Sequence, residues 1–132
     1  MPHRLHHVNW LVHDIDQAIE RFELFFGHFP KREYLAGRDV DTARFELGEG
    51  YFVLVCPKTP DSTVGRILAE HGEGLFLLSL QHEHVATDQQ KQLMSEAGPR
   101  KGICDWTIWD VDGLSNDRSV LQLTLENGEN PI

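Results

Sequence analysis

The sequence predicts an α+β protein built from two βαβββ modules, whose mostly antiparallel sheets form a half-barrel around a cavity. Two observations come first: apolar residues alternate in several short runs, and one amphipathic helix follows the first strand of each half. The third is that the order of elements repeats after about 55 residues, which indicates an internal duplication. A four-stranded sheet with one helix leaves one face bare, so two such modules can bring their bare faces together.

The first module covers about residues 4–57 and opens with the strand LHHVNWLV at 5–12. The next residues change to helical period, with Asp14 as the cap, Gln17 in capping-box position and Gly27 as the end. The apolar stripe of this helix contains Ala18, Ile19, Phe22, Phe25 and Phe26. The runs KREYLA, TARFELG and YFVLVCP then predict three strands, with a hairpin turn at Glu49-Gly50.

A connector helix at about 61–72, capped by Asp61 or Ser62, precedes the second module at about 73–127. That module has a strand in EGLFLLSLQ and a helix in VATDQQKQLMSEAG that Thr87 caps. Its other strands are predicted in GICDW, TIWDV and SVLQLTLE.

Charge and length limit the partners and the location. The 132 residues fit one domain, spanning 1–132, and the 12 Lys and Arg side chains are scattered within a net charge of −9. Phosphate backbones and anionic membranes need a concentrated positive field, so neither is an expected partner. We expect no signal peptide or membrane span, because no long apolar run is present. The two cysteines have no CxxC spacing and are predicted to be buried thiols, which favours the cytoplasm.

Strand alternation assigns the side chains to two faces. His7 and Asn9 share one face of the first strand, while His6 and Trp10 lie on the other. The face predicted to line the cavity mixes polar and aliphatic groups, which suits a small organic ligand. Its members are Leu5, His7, Asn9, Leu11, Arg44, Glu46, Tyr51, Val53, Val55, Leu75, Leu77, Ser79, Gln81, Val120, Gln122 and Thr124. The opposite faces of the other strands are apolar: Phe45, Leu47, Phe52, Leu54, Phe76, Leu78, Leu80, Leu121, Leu123 and Leu125.

Three stretches carry a resemblance to a known superfamily: LHHVNWLVHDIDQAIERFELFFG, ARFELGEGYFVLVCP with DSTVGRILAEHGEG, and VLQLTLEN. Over roughly residues 4–127 the chain resembles the vicinal oxygen chelate superfamily. That fold is shared by glyoxalase I, methylmalonyl-CoA epimerase, extradiol dioxygenases and bleomycin-resistance proteins. The chain is most similar to the methylmalonyl-CoA epimerase branch.

The resemblance implies four metal-ligand positions, occupied here by His7, Val53, Leu77 and Gln122. Valine and leucine offer no donor atom, so we expect no metal cofactor in the manner of the superfamily. If a divalent ion binds at all, His7 and Gln122 are its expected ligands. A homodimer is expected from the resemblance alone.

We therefore predict a metal-independent protein that binds a small organic molecule. The predicted ligand-binding residues are His7, Asn9, Arg44, Glu46, Tyr51, Val53, Leu77, Ser79 and Gln122. His7 and Glu46 are the candidate catalytic residues if proton transfer persists.

Other interpretations stay open. His7 also fits a structural role, and Arg44 with Glu46 also fits an ion pair or two solvated charges. The alternative function is a lyase or epimerase acting on an acyl-CoA or a 2-oxo acid through a non-standard metal site. For an acyl-CoA, Lys31, Arg32 and Arg38 are candidates for a basic rim. A third option is an interaction domain with a packed centre and no ligand.

Overall fold

A computed structural model describes residues 3–82, 88–111 and 121–126. These residues form two compact units. One consists of residues 8–76, and the other combines residues 3–7 with the described residues from Leu77 onward. None of the helices in the described parts of the chain is long and apolar enough to cross a membrane.

The unit of residues 8–76 contains one sheet and two helices. Its elements are the later part of β1 (His3–Leu11), α1 (Ile15–Phe26), β2 (Lys31–Leu35), β3 (Val40–Leu47), β4 (Gly50–Pro57) and α2 (Thr63–His71). The strands lie in the order β2-β3-β4-β1, and the β2–β3 and β3–β4 pairs are antiparallel.

The helix ends in this unit follow the capping chemistry of the sequence. The Asp14 side chain accepts a hydrogen bond from the backbone N–H of Gln17, and Gly27 ends α1 in the left-handed conformation at φ 82°. Ser62 caps α2 by accepting from the backbone N–H of Gly65. The predicted ends of α1 are confirmed, and of the two predicted caps of α2 the observed one is Ser62.

An apolar layer between α1 and the sheet is the core of this unit. Phe45 and Leu54 of the sheet are fully buried, as predicted for the helix-covered face. The rest of the cluster is Val12, Ile15, Ala18, Ile19 and Ala43, with Trp10, Phe22, Phe26, Phe52 and Cys56 packed against it. Phe25, which the helical stripe included, is instead 79% exposed, because it lies at the margin of the face that α1 turns to the sheet.

The β3–β4 hairpin turns one residue earlier than predicted. Leu47 pairs with Gly50, so Gly48 and Glu49 form the turn. Gly48 has φ of +57°, a conformation that costs glycine nothing and other residues more. The glycine that decided the turn was therefore Gly48 and not Gly50.

The second unit holds the strand β5 (Gly74–His82) from Leu77 onward, the strands β6 (Arg100–Lys101), β7 (Thr107–Asp110) and β8 (Leu121–Leu125), and the helix α3 (Asp88–Leu93). Its strand order is β1-β5-β8-β7-β6. The β5–β8 pair is parallel, and the β8–β7 and β7–β6 pairs are antiparallel. The successions β1-α1-β2-β3-β4 and β5-α3-β6-β7-β8 confirm the α+β class with two βαβββ modules. The predicted cap Thr87 lies outside the described residues.

In this unit one face of the sheet is apolar, as predicted. Leu123 is buried with Met94 and Val111. Leu80, Trp109 and Leu121 pack against the same cluster.

The predicted strand GICDW is wrong. Residues Ile103–Asp105 form a single turn of 3₁₀ helix, in which Cys104 and Asp105 have positive φ. Gly102 donates its N–H to the carbonyl of Trp106, and a Cβ at Gly102 would lie 2.5 Å from Ile108. The loop closes tightly on itself, which leaves Cys104 exposed and not buried as predicted.

Two phenylalanines provide a matched test of the core. Phe45→Ala should lower the free energy of unfolding by about 3–5 kcal/mol, because it opens a cavity in the layer under α1. Phe25→Ala removes the same atoms from an exposed position and should cost less than about 1 kcal/mol. Urea denaturation of both variants measures the difference. Equal losses would contradict the assigned core.

Candidate ligand-binding site

In the second unit, polar side chains are buried on the face of the sheet opposite the apolar cluster. Ser79 and Thr124 have no exposed surface, and Gln122 is 2% exposed. Ser79 lies beside Gln122 in the parallel β5–β8 register, and its hydroxyl is hydrogen-bonded to that of Thr124. Alternation places these side chains together, because residues two apart on a strand share a face. Thr124 was in the predicted lining but not among the predicted ligand-binding residues.

A carboxylate fixes the orientation of the buried Gln122 amide. Gln122 Nε2 donates to Asp110 Oδ1 at 3.0 Å. Arg100 donates to the two oxygens of the same carboxylate at 3.2 and 3.1 Å. Gln122 Oε1 is buried and accepts no hydrogen bond from the described residues. Sequence reasoning missed Asp110 and Arg100, because the β7–β8 register that sets Asp110 opposite Gln122 was not predictable.

His7 lies at the end of a hydrogen-bonded chain of three titratable side chains. His7 Nδ1 lies 2.8 Å from His6 Nδ1, and His6 Nε2 lies 2.6 Å from Glu126 Oε1. Trp106 stacks on the His7 ring with centroids 5.1 Å apart, and its edge meets His6. Strand alternation predicts that the His6 and His7 side chains lie on opposite faces. However, Nδ1 of histidine is bonded to Cγ, the ring atom nearest to the backbone. Two neighbouring rings can therefore meet through these atoms.

Burial makes His7 a neutral group. Its pKa is lowered from 6.5 to about 3, first by burial and then by the charge of His6. An imidazole with so low a pKa is a weak proton acceptor at neutral pH. Hydrogen bonding is therefore the chemistry that His7 offers.

The predicted residues on the other unit form their own group on the β3–β4 hairpin. Arg44 lies opposite Val53 and Glu46 opposite Tyr51, so the four side chains share one face. The Arg44 guanidinium lies 5.3 Å from the centre of the Tyr51 ring, within the range of a cation–π contact. Glu46 is exposed. In β1, Asn9 Oδ1 is buried and has no hydrogen-bond partner among the described residues.

The residues at the four superfamily ligand positions do not fit a metal site. Val53 and Leu77 are 1% and 6% exposed, so hydrocarbon fills both positions. His7 and Gln122 leave one imidazole and one neutral amide oxygen, whereas a divalent ion needs several good donors. Nowhere in residues 3–82, 88–111 and 121–126 do three His, Cys, Asp or Glu side chains gather as a metal site requires.

Solved structures share this fold. A methylmalonyl-CoA epimerase in complex with methylmalonyl-CoA and NH4+ is 22% identical, with a TM-score of 0.85, and the match covers 100% of both chains. A substituted Streptomyces coelicolor methylmalonyl-CoA epimerase in complex with 2-nitronate-propionyl-CoA is 23% identical, with a TM-score of 0.83 over 97% of this chain and 98% of that one. The Mycobacterium tuberculosis methylmalonyl-CoA epimerase is 18% identical, with a TM-score of 0.80 over 92% and 87%. No protein-family model and no curated protein sequence matches the chain.

These likenesses establish the class of fold. The chain has the vicinal oxygen chelate fold, as the resemblance implied. Within that class it is similar to the methylmalonyl-CoA epimerases. At these identities the comparison extends to the fold alone.

The lowered pKa of His7 makes the stability of the protein depend on pH. Between about pH 6.5 and pH 3 the unfolded chain binds a proton at His7 that the folded chain does not. The contribution of His7 is therefore fully present above about pH 6.5 and declines as the pH falls toward 3. Urea unfolding across this range should show a shallower decline in His7→Gln than in the wild type.

The matched control for that measurement is His13→Gln, which changes an exposed histidine. It should keep the wild-type dependence. An unchanged slope in His7→Gln would contradict the buried, neutral state of His7.

Proposed function

We propose that this chain binds a small, partly polar organic ligand, and that it does so without a metal ion. The observation that carries the proposal is the buried oxygen of Gln122, which has no partner among the described residues. A buried acceptor without a hydrogen bond costs about 1–3 kcal/mol. A ligand that donates to this oxygen recovers that energy, and the adjacent Ser79 and Thr124 extend the polar surface.

Metal independence is supported by the donor set. Two of the four positions are aliphatic, and the remaining amide oxygen is neutral and weak. Structural-grade metal binding totals on the order of 10 kcal/mol and needs its full ligand set. Of the two candidates for proton transfer, we propose Glu46 alone, because burial lowers the pKa of His7 to about 3 and makes its ring a weak proton acceptor.

The second candidate is an epimerase or lyase acting on an acyl-CoA. It is favoured by the fold shared with epimerases that were solved with acyl-CoA compounds. The basic rim proposed for an acyl-CoA gives this second candidate less support. Lys31 and Arg32 are exposed, but Arg32 already forms a 2.8 Å ion pair with Asp16.

One experiment separates the two candidates. Protein purified without chelator should contain far less than one divalent ion per chain, as measured by inductively coupled plasma mass spectrometry. It should also fail to exchange the α-proton of methylmalonyl-CoA with deuterated solvent, with or without added Co²⁺. A methylmalonyl-CoA epimerase run in parallel is the positive control. A stoichiometric ion that is lost in His7→Ala, or proton exchange by the wild type, would favour the epimerase.

A matched variant tests the binding surface. Gln122→Leu removes the unpartnered oxygen and keeps the side chain's bulk. It also removes one hydrogen bond to Asp110, but that carboxylate keeps both Arg100 contacts, so the fold should persist. A ligand found in a metabolite screen should no longer raise the melting temperature of this variant. The control Gln17→Leu, at an exposed position of α1, should keep the increase. If no metabolite shifts the wild type, the interaction-domain interpretation is favoured.

The homodimer and the cytoplasmic location are also proposals. The homodimer is based on the resemblance to the superfamily. Sedimentation equilibrium at neutral pH should give twice the chain mass of 15.1 kDa. A single-chain mass at all concentrations tested would contradict the dimer and leave the binding proposal intact.

A further inference from the structure

We infer that the exposed end of α1 is an interface between two copies of this chain, which pack there about a twofold axis. The surface is a groove of about 620 Å³. Its lining residues define what we call the α1 groove: Glu20, Glu23, Leu24, Gly27, His28 and Phe29. They belong to α1 and the turn after it, not to the strands with the proposed ligand-binding residues, so dimer formation and ligand binding can be tested separately.

The α1 groove follows one side of the helix. Its helical members have the spacing i, i+3, i+4, i+7, which places them on a common face: Glu20, Glu23, Leu24 and Gly27. Gly27 has φ of +82°, and a Cβ built on it would have no atom of the described residues within 4 Å. The backbone there is therefore open to a side chain of another molecule.

Two apolar side chains of the groove project into solvent. Leu24 is 87% exposed and Phe29 is 82% exposed. A groove with walls this open cannot enclose a small molecule, because ligand pockets bury about 70–90% of the ligand surface. Adjacent large apolar side chains with a polar rim are instead typical of protein interfaces. The occupant that fits the groove is therefore a protein surface.

The area of the groove suits a reversible dimer. Large aromatic side chains cover about 150–250 Å² each, so Leu24 and Phe29 together expose roughly 300 Å² in one copy. The smallest stable interfaces bury about 600 Å² per partner. The apolar pair supplies about half of this area, and the polar side chains that flank it extend the contact.

The groove is complementary to an inverted copy of itself. The carboxylates of Glu20 and Glu23 lie toward one end, and the imidazole of His28 follows the other end of the helix. Antiparallel packing of α1 on α1 sets the acidic end of each copy against His28 of the partner subunit, whose ring N–H can donate to a carboxylate. Leu24 then faces the open backbone at Gly27 of the partner subunit. A uniformly basic partner would satisfy only the acidic end, so a second copy is the better fit.

The net charge of −9 on each chain opposes this association mainly at long range. At 0.15 M salt, exposed charges more than about 8 Å apart are largely screened. The groups that meet in the contact are acidic and imidazole side chains, which attract each other. The dimer should therefore form at physiological ionic strength.

Sedimentation equilibrium over a dilution series tests the surface. The wild type should approach twice the chain mass of 15.1 kDa at high protein concentration. Leu24→Glu should raise the dissociation constant at least about thirtyfold, the loss typical of a hot-spot residue, because it sets a third carboxylate in the apolar part of the groove. Circular dichroism should show that this variant is folded, since the Leu24 side chain is exposed in the single chain.

The matched control is Leu93→Glu, at a leucine of α3 that is 39% exposed. It should form the dimer as the wild type does. A monomeric wild type, a dimer that Leu24→Glu leaves intact, or an equal loss in Leu93→Glu would overturn the assigned interface.

A charge exchange tests the twofold arrangement. The double variant Glu20→Arg with Glu23→Arg should be monomeric, because its guanidinium groups would face His28 of the partner subunit. His28→Glu should also be monomeric, because it adds a carboxylate opposite two others. An equimolar mixture should form a heterodimer with nearly wild-type affinity, since one end then pairs arginine with glutamate and the other keeps the original pair. Two monomeric variants that form no heterodimer would overturn the antiparallel arrangement.

Two probes test for other occupants of the groove: an amphipathic lysine–leucine peptide and phosphatidylcholine vesicles. The dimeric wild type should bind neither, because the second copy covers the groove. Binding of either probe to a monomeric wild type, with loss of binding in Leu24→Glu, would assign the groove to a basic partner or a lipid surface and overturn the dimer. These outcomes leave ligand binding at Gln122 unaffected, because that proposal is tested by its own variant.

Discussion

The orientation of the buried Gln122 amide depends on the carboxylate of Asp110. It accepts two hydrogen bonds from Arg100 on β6 and one from Gln122 on β8, so it joins three strands through their side chains. Hydrogen bonds to a charged group are stronger than those between neutral groups. Removing the carboxylate would leave a partly buried guanidinium without its counter-charge and a buried amide free to rotate. The orientation of the Gln122 amide therefore follows from that one acidic side chain, which stands at the end of β7.

The two faces of this sheet serve different purposes. Leu80, Leu121 and Leu123 pack with Met94 and contribute the apolar burial that stabilises the unit. The opposite face buries hydroxyl and amide groups, which stabilise nothing unless each finds a partner. Ser79 and Thr124 satisfy one another, while one atom of Gln122 is left over. Departures from full satisfaction are typical of functional surfaces, and the buried oxygen of Gln122 is one such departure.

Patterns of short range were sufficient to predict most of the fold. The capping of α1 by Asp14 and the alternation of β3, β4, β5 and β8 are local properties, and the structure follows them. The site was only partly predictable. Ser79 and Gln122 followed from alternation, but Asp110 and Glu126 act through contacts that depend on strand register and on side-chain direction. The strand predicted at GICDW was wrong because a long-range contact is involved there too. The turn at Ile103–Asp105 accompanies the close approach of Gly102 to Ile108, which the local sequence does not reveal.

Trp106 has an optical consequence. Its indole is 3% exposed and stacks on the ring of His7, so its emission should be shifted to the blue relative to an indole in water. Protonated imidazole quenches indole fluorescence by accepting an electron, whereas the neutral ring does so weakly. The molecule therefore contains its own reporter: any compound that changes the electronic state of that imidazole should change the brightness of this tryptophan, with no dye attached.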